Sequence, residues 1–469
     1  MEHDLAANAV DVLLAVAGFG VLLAIGLTPR GPLQALGLIG LGYMVGSAVV
    51  PLALTVLLVL HVPFTFLTFI LIVVACALSG AWRVARATPG FRRGSIGFRA
   101  WKPDAWVIVA FVIVFGTFAI IGLLNFVHAP LVEWDAWSIW MRKARILTEH
   151  GSLWHPYFTN PVIGHPHRDY PLQLPIWEAL HGKAEGEMNP NRVLGFIWLW
   201  EVGFIWAIAY VAHVYGRVRP VVWAPVLLLV ATAPSVLSQL TGDADLPMAF
   251  FVCLGVATMA FWIRDGDRRL LGLAAILLAA AANTKNEGAA SVVAVLVVAF
   301  VVVLLCRLDW RSYLAAAVGI VVVGILPWRL WLSAHGIEAE LQVSTGLKPG
   351  YLIDHFDRVG PTIAALNDQL ANTAGWPYLV PIAAMLVGFA LVSGLGRRVA
   401  AFYLGAFVLI WAVFVWNYWI SPIELSWYLE TSAFRVVSIP IFVCIAAILH
   451  LSGIFVTALE GSPADDHRS

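Results

Sequence analysis

Acids, bases and indoles crowd into a few short stretches of an otherwise greasy chain. The first is "EWDAW", where Glu133 and Asp135 flank Trp134 just after a long apolar run. A carboxylate that borders both lipid and water is partly desolvated. It holds a proton more readily than in bulk water and can take one from a hydroxyl as a general base. Asp135 is the candidate base, with Glu133 beside it. Asp before "AWSIW" is also a good N-cap, and the two roles can coexist.

The second stretch, "GHPHRDYPLQLPIWEAL", packs His165, His167, Arg168, Asp169 and Tyr170 ahead of a proline-rich entry into a short apolar helix. The two histidines with Asp169 have the types for a metal site. Arg168 with a protonated histidine has the types for a phosphate. A polar loop turned by its prolines is the third reading. In "TGDADLPMAF", Asp243 and Asp245 have the DxD spacing with which soluble glycosyltransferases hold a metal-bound nucleotide sugar; Asp245 also suits a helix start. In "NTKNEG", Lys285 and Glu287 stand between two almost wholly apolar runs, where a charge is expensive unless paired or facing water. Lys285 could neutralise a phosphodiester with Glu287 orienting it, or the two could form a surface ion pair. "ELSWYLETSAFR" adds Trp427 and, at the mouth of the last apolar run, Arg435, placed for an anionic headgroup.

The elements that carry these residues follow from composition. Mean hydropathy is +0.86, with 61% hydrophobic and 12% charged residues among 469, outside the range of soluble domains. Apolar runs occur at about 8–27, 34–56, 61–82, 105–126, 193–214, 220–238, 246–263, 269–283, 289–306, 312–333, 378–394, 399–419 and 434–456. In lipid every backbone polar group must be satisfied internally, so the fold class is all-α: a polytopic transmembrane helical bundle of about 13 spans. The start "MEHDLAANAVDVLL" is acidic and has no basic n-region, so the first run is expected to remain as a span. The four cysteines lie in or at the end of apolar runs without zinc or disulfide spacing and are expected to be small core hydrophobes.

Short loops at 83–102, 216–219, 264–269, 307–311 and 396–398 are rich in arginine, which places them in the cytoplasm. With 13 spans, all the chemistry-bearing stretches then fall on the opposite, extracytoplasmic face. The large outer loop 127–192 is too long for a mere connector. Its "DAWSIWMRKARILTEHG" reads as an amphipathic interfacial helix, apolar along Trp137, Trp140, Met141 and Ile146, with Arg142, Lys143 and Arg145 directed elsewhere. Residues 351–376 read as one or two further surface helices.

An acid near the membrane surface, cations for a phosphate and aromatics for a sugar face together read as a membrane glycosyltransferase with a polyprenyl-phosphate sugar donor. The chain at this point resembles the GT-C class, especially bacterial relatives of protein O-mannosyltransferases and lipid A aminoarabinose transferases, over about residues 105–435. "EWDAW" resembles the acidic motif of that class's first large outer loop, which implies Asp135 as base with Glu133 nearby. "HRDYPLQLPIWEAL" is similar to the segment that leads into the next span, "TGDADLPMAFF" to the Asp-containing start of a later span, and "NTKNEG" to the lysine turn after it. The acidic motif here follows the fourth run rather than the first, so 1–104 looks like an addition of extra spans and a basic loop. Residues 105–333 look like the catalytic module, and 334–469 like a second outer loop with C-terminal spans.

The resulting expectations are these. Lys285, Arg168, Arg435, His165 and His167 bind the donor phosphate. Trp134, Asp169, Tyr170, Asp243, Asp245, Glu287 and Trp427 line the substrate pocket. No metal is required, the alternative being a divalent cation held by Asp135 with Asp243 or His167. Partners are the lipid-linked sugar, membrane lipid and an acceptor glycan, lipid or protein, with no nucleic acid. The setting is a bacterial plasma membrane with the site facing outward. Competing readings are a transporter or flippase for a lipid-linked sugar and a polysaccharide ligase with a lipid-diphosphate donor.

Overall fold

The computed structural model describes residues 2–29, 32–86, 105–127, 129–165, 167–341 and 343–459. Most of the basic loop 83–102, Pro166 of the histidine stretch and the tail after Leu459 lie outside the described residues. The elements in order are α1 (Glu2–Ala24), α2 (Pro32–Val59), α3 (Phe66–Arg86), α4 (Ala105–Phe126), α5 (Arg142–His150), α6 (Pro156–Thr159), α7 (Gln173–Glu185) and α8 (Val193–Val214). There follow α9 (Pro220–Ala231), α10 (Pro234–Leu237), α11 (Asp245–Asp265), α12 (Arg268–Ala282), α13 (Asn286–Leu305), α14 (Trp310–Ile320) and α15 (Leu326–Ala334). The chain ends with α16 (Val343–Gly346), α17 (Pro349–Asp354), α18 (Val359–Leu370), α19 (Leu379–Ser393), α20 (Arg397–Ile420), α21 (Leu425–Val436) and α22 (Ser438–Leu459). No strand occurs among the described residues.

Nine helical stretches among the described residues are long and apolar enough to cross a membrane. The chain is an integral membrane protein with an all-α fold. The other expected spans are shorter: Asn8–Ala24, Pro220–Ala231 and Leu379–Ser393, together with the 15 residues of α12. The run 220–238 breaks into α9 and α10 because Pro234 has no N–H to continue the ladder. Conversely, α14 and α15 join through a π-helical turn, Val321–Ile325, into one rod.

Burial separates core helices from peripheral ones. The span formed by α11 is buried along its whole length, whereas α3 and α4 are mostly exposed, the outward surface a lipid-facing helix presents. The three N-terminal helices pack into the rest of the molecule: α1 lies against α2, α3 and α7, and α2 against α7, α8, α12 and α15. The approach of α1 to α2 depends on glycine, since a Cβ on Gly18 would come within 1.8 Å of the Gly42 carbonyl oxygen. Among the cysteines, Cys253 and Cys444 are buried, Cys76 is half-buried, Cys306 is exposed, and all are free.

The connectivity explains how distant residues meet. The helix α11 runs away from the 127–192 segment and α12 returns, so Asp245 at the start of α11 and Lys285 ahead of α13 come to the same end of the bundle. The last turn of α21, which carries Arg435, reaches that end too.

Candidate functional site

The helix that should present Asp135 is not the one expected. Residues 136–141 form a π-helical turn before α5, and Asp135 already has helical backbone angles with no capping hydrogen bond from its side chain. Asp135 is therefore not an N-cap. Its Oδ2 accepts from Arg435 Nη1 at 2.7 Å. The Trp137 indole N–H pins this segment by donating to Leu131 O at 2.8 Å. The following face also differs from expectation. Trp140 and Met141 are buried, but so is Lys143, together with Ala144 and Leu147.

Lys143 points inward because the turn at 167–170 offers it three carbonyls, those of His167 (2.9 Å), Arg168 (3.2 Å) and Tyr170 (2.7 Å). Burial pulls its pKa down to about 7, with Asp169 opposing and Arg168 adding to the fall. Three acceptors nevertheless call for the three protons of the ammonium form. Lys143 thus joins the first two motifs into one body, which the sequence reading missed.

A second contact brings the "GDAD" loop onto "EWDAW". Gly242 has φ +93°, and a Cβ there would lie 2.5 Å from a Leu131 methyl and 3.0 Å from the Ala136 Cβ. Asp243 therefore reaches the same guanidinium: Arg435 Nη1 donates to its Oδ2 at 3.2 Å and lies 3.9 Å from Asp245 Oδ2. Thr241 also donates to Asp243 Oδ2, at 2.8 Å. Asp245 in turn holds Lys285 at 2.9 Å, and Lys285 is 3.6 Å from Glu287. Tyr170 closes the chain of contacts by donating to Glu287 Oε1 at 3.3 Å, with the Lys285 ammonium 5.7 Å from its ring. Asp135, Asp243, Asp245, Glu287, Arg435, Lys285 and Tyr170 are one cluster. Lys285 and Glu287 are no surface pair, because Lys285 is only 7% exposed.

The remaining expected residues fall outside that cluster or beside it. Arg168 braces its own loop: its guanidinium donates to the carbonyls of Tyr157 (2.9 Å), Ile163 (2.5 Å) and Asn160 (2.8 Å). His165 lies edge-on to Tyr157. His167, at φ +56°, stacks on Tyr170 and pairs through Nδ1 with Glu340 at 2.5 Å. Asp169 accepts from Asn286 at 2.6 Å, and Asn286 accepts from Arg329 at 2.6 Å. Glu133, Trp134 and Trp427 are exposed. The described residues show no hydrogen bond or ion pair from their side chains to the cluster.

His165, His167 and Asp169 turn to three different neighbours, Tyr157, Glu340 and Asn286. No three His, Cys, Asp or Glu side chains come together in a metal-holding group among the described residues. The point between Asp135 and Asp243 where a cation would sit is taken by the Arg435 guanidinium.

Glu178, Glu340 and Asn286 are neighbours the sequence reading did not single out. Glu178 is buried on α7, neither of its oxygens has a hydrogen-bond partner among the described residues, and burial, reinforced by the Asp243 charge, pushes its pKa well up. Counting the cluster, four carboxylates face two cations, so one buried acid holding a proton lowers the imbalance. Burial lifts Asp243 to about 6, with Arg435 opposing and Asp245 and Asp135 adding to the rise.

A raised carboxyl pKa means the folded state binds that proton more tightly. Its contribution to stability is full below the unfolded value and is lost as pH rises through the folded one. Thermal midpoints in detergent should therefore fall for the parent relative to Asp243→Asn as pH is raised from about 4 to 6. Parallel profiles across that window would show that Asp243 ionises like a free carboxylate.

Compared with protein-family models, with curated proteins and with solved structures, the chain matches none.

Proposed function

We propose that the chain is a GT-C-class membrane glycosyltransferase with about 13 crossings. It moves a sugar from a polyprenyl-phosphate donor to an acceptor hydroxyl at the extracytoplasmic face of a bacterial plasma membrane. One observation carries this reading: Asp135, Asp243, Asp245, Lys285, Glu287 and Arg435, spread over 300 positions of sequence, share one cluster of ion pairs at the end of the bundle that carries the large loop. A purely structural role explains such a cluster poorly, because burying several charges costs more than their attraction returns unless the geometry serves something else.

The chemistry follows from the contacts. The acceptor oxygen attacks the anomeric carbon, the bond from that carbon to the phosphate oxygen breaks, and its electron pair leaves with the lipid phosphate. The acceptor proton passes to the Asp135 carboxylate, and configuration at the anomeric carbon inverts. Arg435, at the rim of the cluster, bonds the phosphate oxygens and stabilises the charge that develops on them. In the cluster this guanidinium is held by Asp135. A phosphate that draws Arg435 to itself frees the carboxylate that must accept the proton, so donor binding and base activation are one event. Lys285, locked by Asp245 and Glu287, contributes field more than direct contact. Tyr170, stacked between Trp140 and His167, has its ring faces covered and presents its hydroxyl, on Glu287, to the cluster.

The test is incubation of the purified protein, with membrane extract as source of acceptors, with a panel of radiolabelled polyprenyl-phosphate sugars. One donor should lose its label and release polyprenyl phosphate. No turnover across the panel, with movement of intact donor across vesicles bearing the protein, would replace this reading by a transporter.

A further inference from the structure

We infer that α2 is a positioning element for the Lys285 turn, and that Gln173 and Asn283 transmit the restraint. Pro51 lies inside α2 and has no N–H, so the carbonyl of Ser47, four residues earlier, lacks its helical donor. Gln173 Nε2 supplies it, donating to Ser47 O at 2.7 Å and to Ala48 O at 3.2 Å. The other end of the same amide accepts from Asn283 Nδ2 at 3.2 Å, and the Gln173 backbone N–H donates to Asn283 O at 2.9 Å. Asn283 Nδ2 returns to α2 through Thr55 Oγ1 at 3.0 Å, and Thr55 donates to Pro51 O at 2.8 Å. Ser47, Thr55, Gln173 and Asn283 are all essentially inaccessible.

This arrangement does more than fill hydrogen bonds. Asn283 ends α12 two residues before Lys285, and Lys285 itself is in extended conformation. A short extended turn has few restraints of its own. Here its first residue is held from two sides, by the start of α7 and by Thr55 of α2. Asn283 Oδ1 and Ser47 Oγ have no hydrogen-bond partner among the described residues, so the restraint rests on the bonds just named, each costly to lose in an apolar interior. Pro51 leaves Ser47 O without its helical N–H and so opens it to Gln173, while Ala48 O accepts the second, longer bond. The Lys285–Asp245 distance is thus set partly by a helix near the start of the chain. That Lys285 serves a reaction rests on the glycosyl-transfer reading; that Gln173 and Asn283 hold it does not.

The experiment reads Lys285 directly and needs no activity. Purified full-length protein in detergent is treated with a small amine-reactive ester, and labelling of Lys285 is measured by peptide mass spectrometry against exposed Lys348. In the parent, Lys285 should label far more slowly than Lys348. Gln173→Leu should raise the Lys285 to Lys348 ratio roughly tenfold, the population shift expected from losing one or two buried hydrogen bonds.

The Pro51→Ala/Gln173→Leu double variant separates positioning from simple stability. Its new N–H at position 51 can satisfy Ser47 O, so thermal stability should recover while Lys285 stays fast, because the Asn283 side chain still lacks its Gln173 partner. A ratio unchanged in Gln173→Leu would overturn the inference. So would a double variant in which Lys285 labelling returns to the parent rate, since Gln173 would then only be a partner for orphaned carbonyls. If Gln173→Leu does not fold, the double variant alone decides between the same two outcomes.

Discussion

Asp135→Asn should lower sugar transfer by about 10²- to 10⁴-fold, the range over which a positioned general base contributes. The substitution is the gentlest available, because the amide keeps the shape of the carboxylate and its oxygen can still accept from Arg435. Arg435 also keeps Asp243 at 3.2 Å and Asp245 at 3.9 Å, so the cluster should stay assembled. The loss should therefore appear in kcat, with the thermal midpoint and donor affinity nearly those of the parent. Affinity could even improve, since Arg435 would no longer leave a charged partner to meet the phosphate. Glu133→Gln is the internal comparison: its side chain is exposed and unconnected to the cluster, and the rate should barely change. Near-normal turnover by Asp135→Asn would remove Asp135 as the base. A collapse of both turnover and thermal stability would make it a structural anchor of Arg435.

Some of this site was legible in the sequence because certain constraints are local. Charges such as Lys285 and Glu287 between apolar runs stand out on composition alone, and their order along the chain suggested a shared end of the bundle. What determines their partners is not local. Nothing in "TKNEG" says that Lys285 pairs first with Asp245, 40 residues earlier, because that depends on α11 and α12 forming an antiparallel hairpin.

Lys143 was misread for a related reason. A lysine on an amphipathic helix ordinarily carries its charge to water or lipid phosphate, and only the carbonyls of residues 167–170, folded beneath α5, reverse that preference. Arg168 shows the opposite failure, an arginine in a motif-like stretch whose donors are spent on its own loop. Glu178 was hidden inside "PIWEAL", a helix otherwise apolar enough to read as filler. The apolar runs themselves were found as helices because a run of lipid-soluble residues leaves the backbone no alternative. Their lengths were less readable, since a single proline such as Pro234 can split one.

Lys285→Met should be among the most damaging single substitutions to stability, since removing one partner of a buried ion pair costs about 3–5 kcal/mol. The reason is what it leaves behind. Asp245 is 2% exposed, and without Lys285 its remaining cation is Arg435 at 3.9 Å, already shared with Asp135 and Asp243. Asp245→Asn should also destabilise, because it strands the ammonium with only Glu287 at 3.6 Å. The Lys285→Met/Asp245→Asn double variant removes both charges and should recover a large part of the loss, a coupling that a double-mutant cycle of thermal midpoints measures directly.

The exposed pair Arg268–Asp309, 2.7 Å apart at another surface, gives the contrast. Water and side-chain freedom offset most of such an interaction, and Arg268→Met should leave the midpoint almost unmoved. If Lys285→Met were as mild as Arg268→Met, the lysine turn would be open to water, and a pre-formed cluster in which Lys285 supplies a fixed field to the sugar phosphate would have to be abandoned. If the double variant were as unstable as Lys285→Met, the lysine stem would matter for packing, and the charge pair would add little. Strong coupling, by contrast, ties the start of α11 to the start of α13 through electrostatics. It would explain why a membrane-embedded chain keeps a lysine and an aspartate where apolar residues would pack at lower cost.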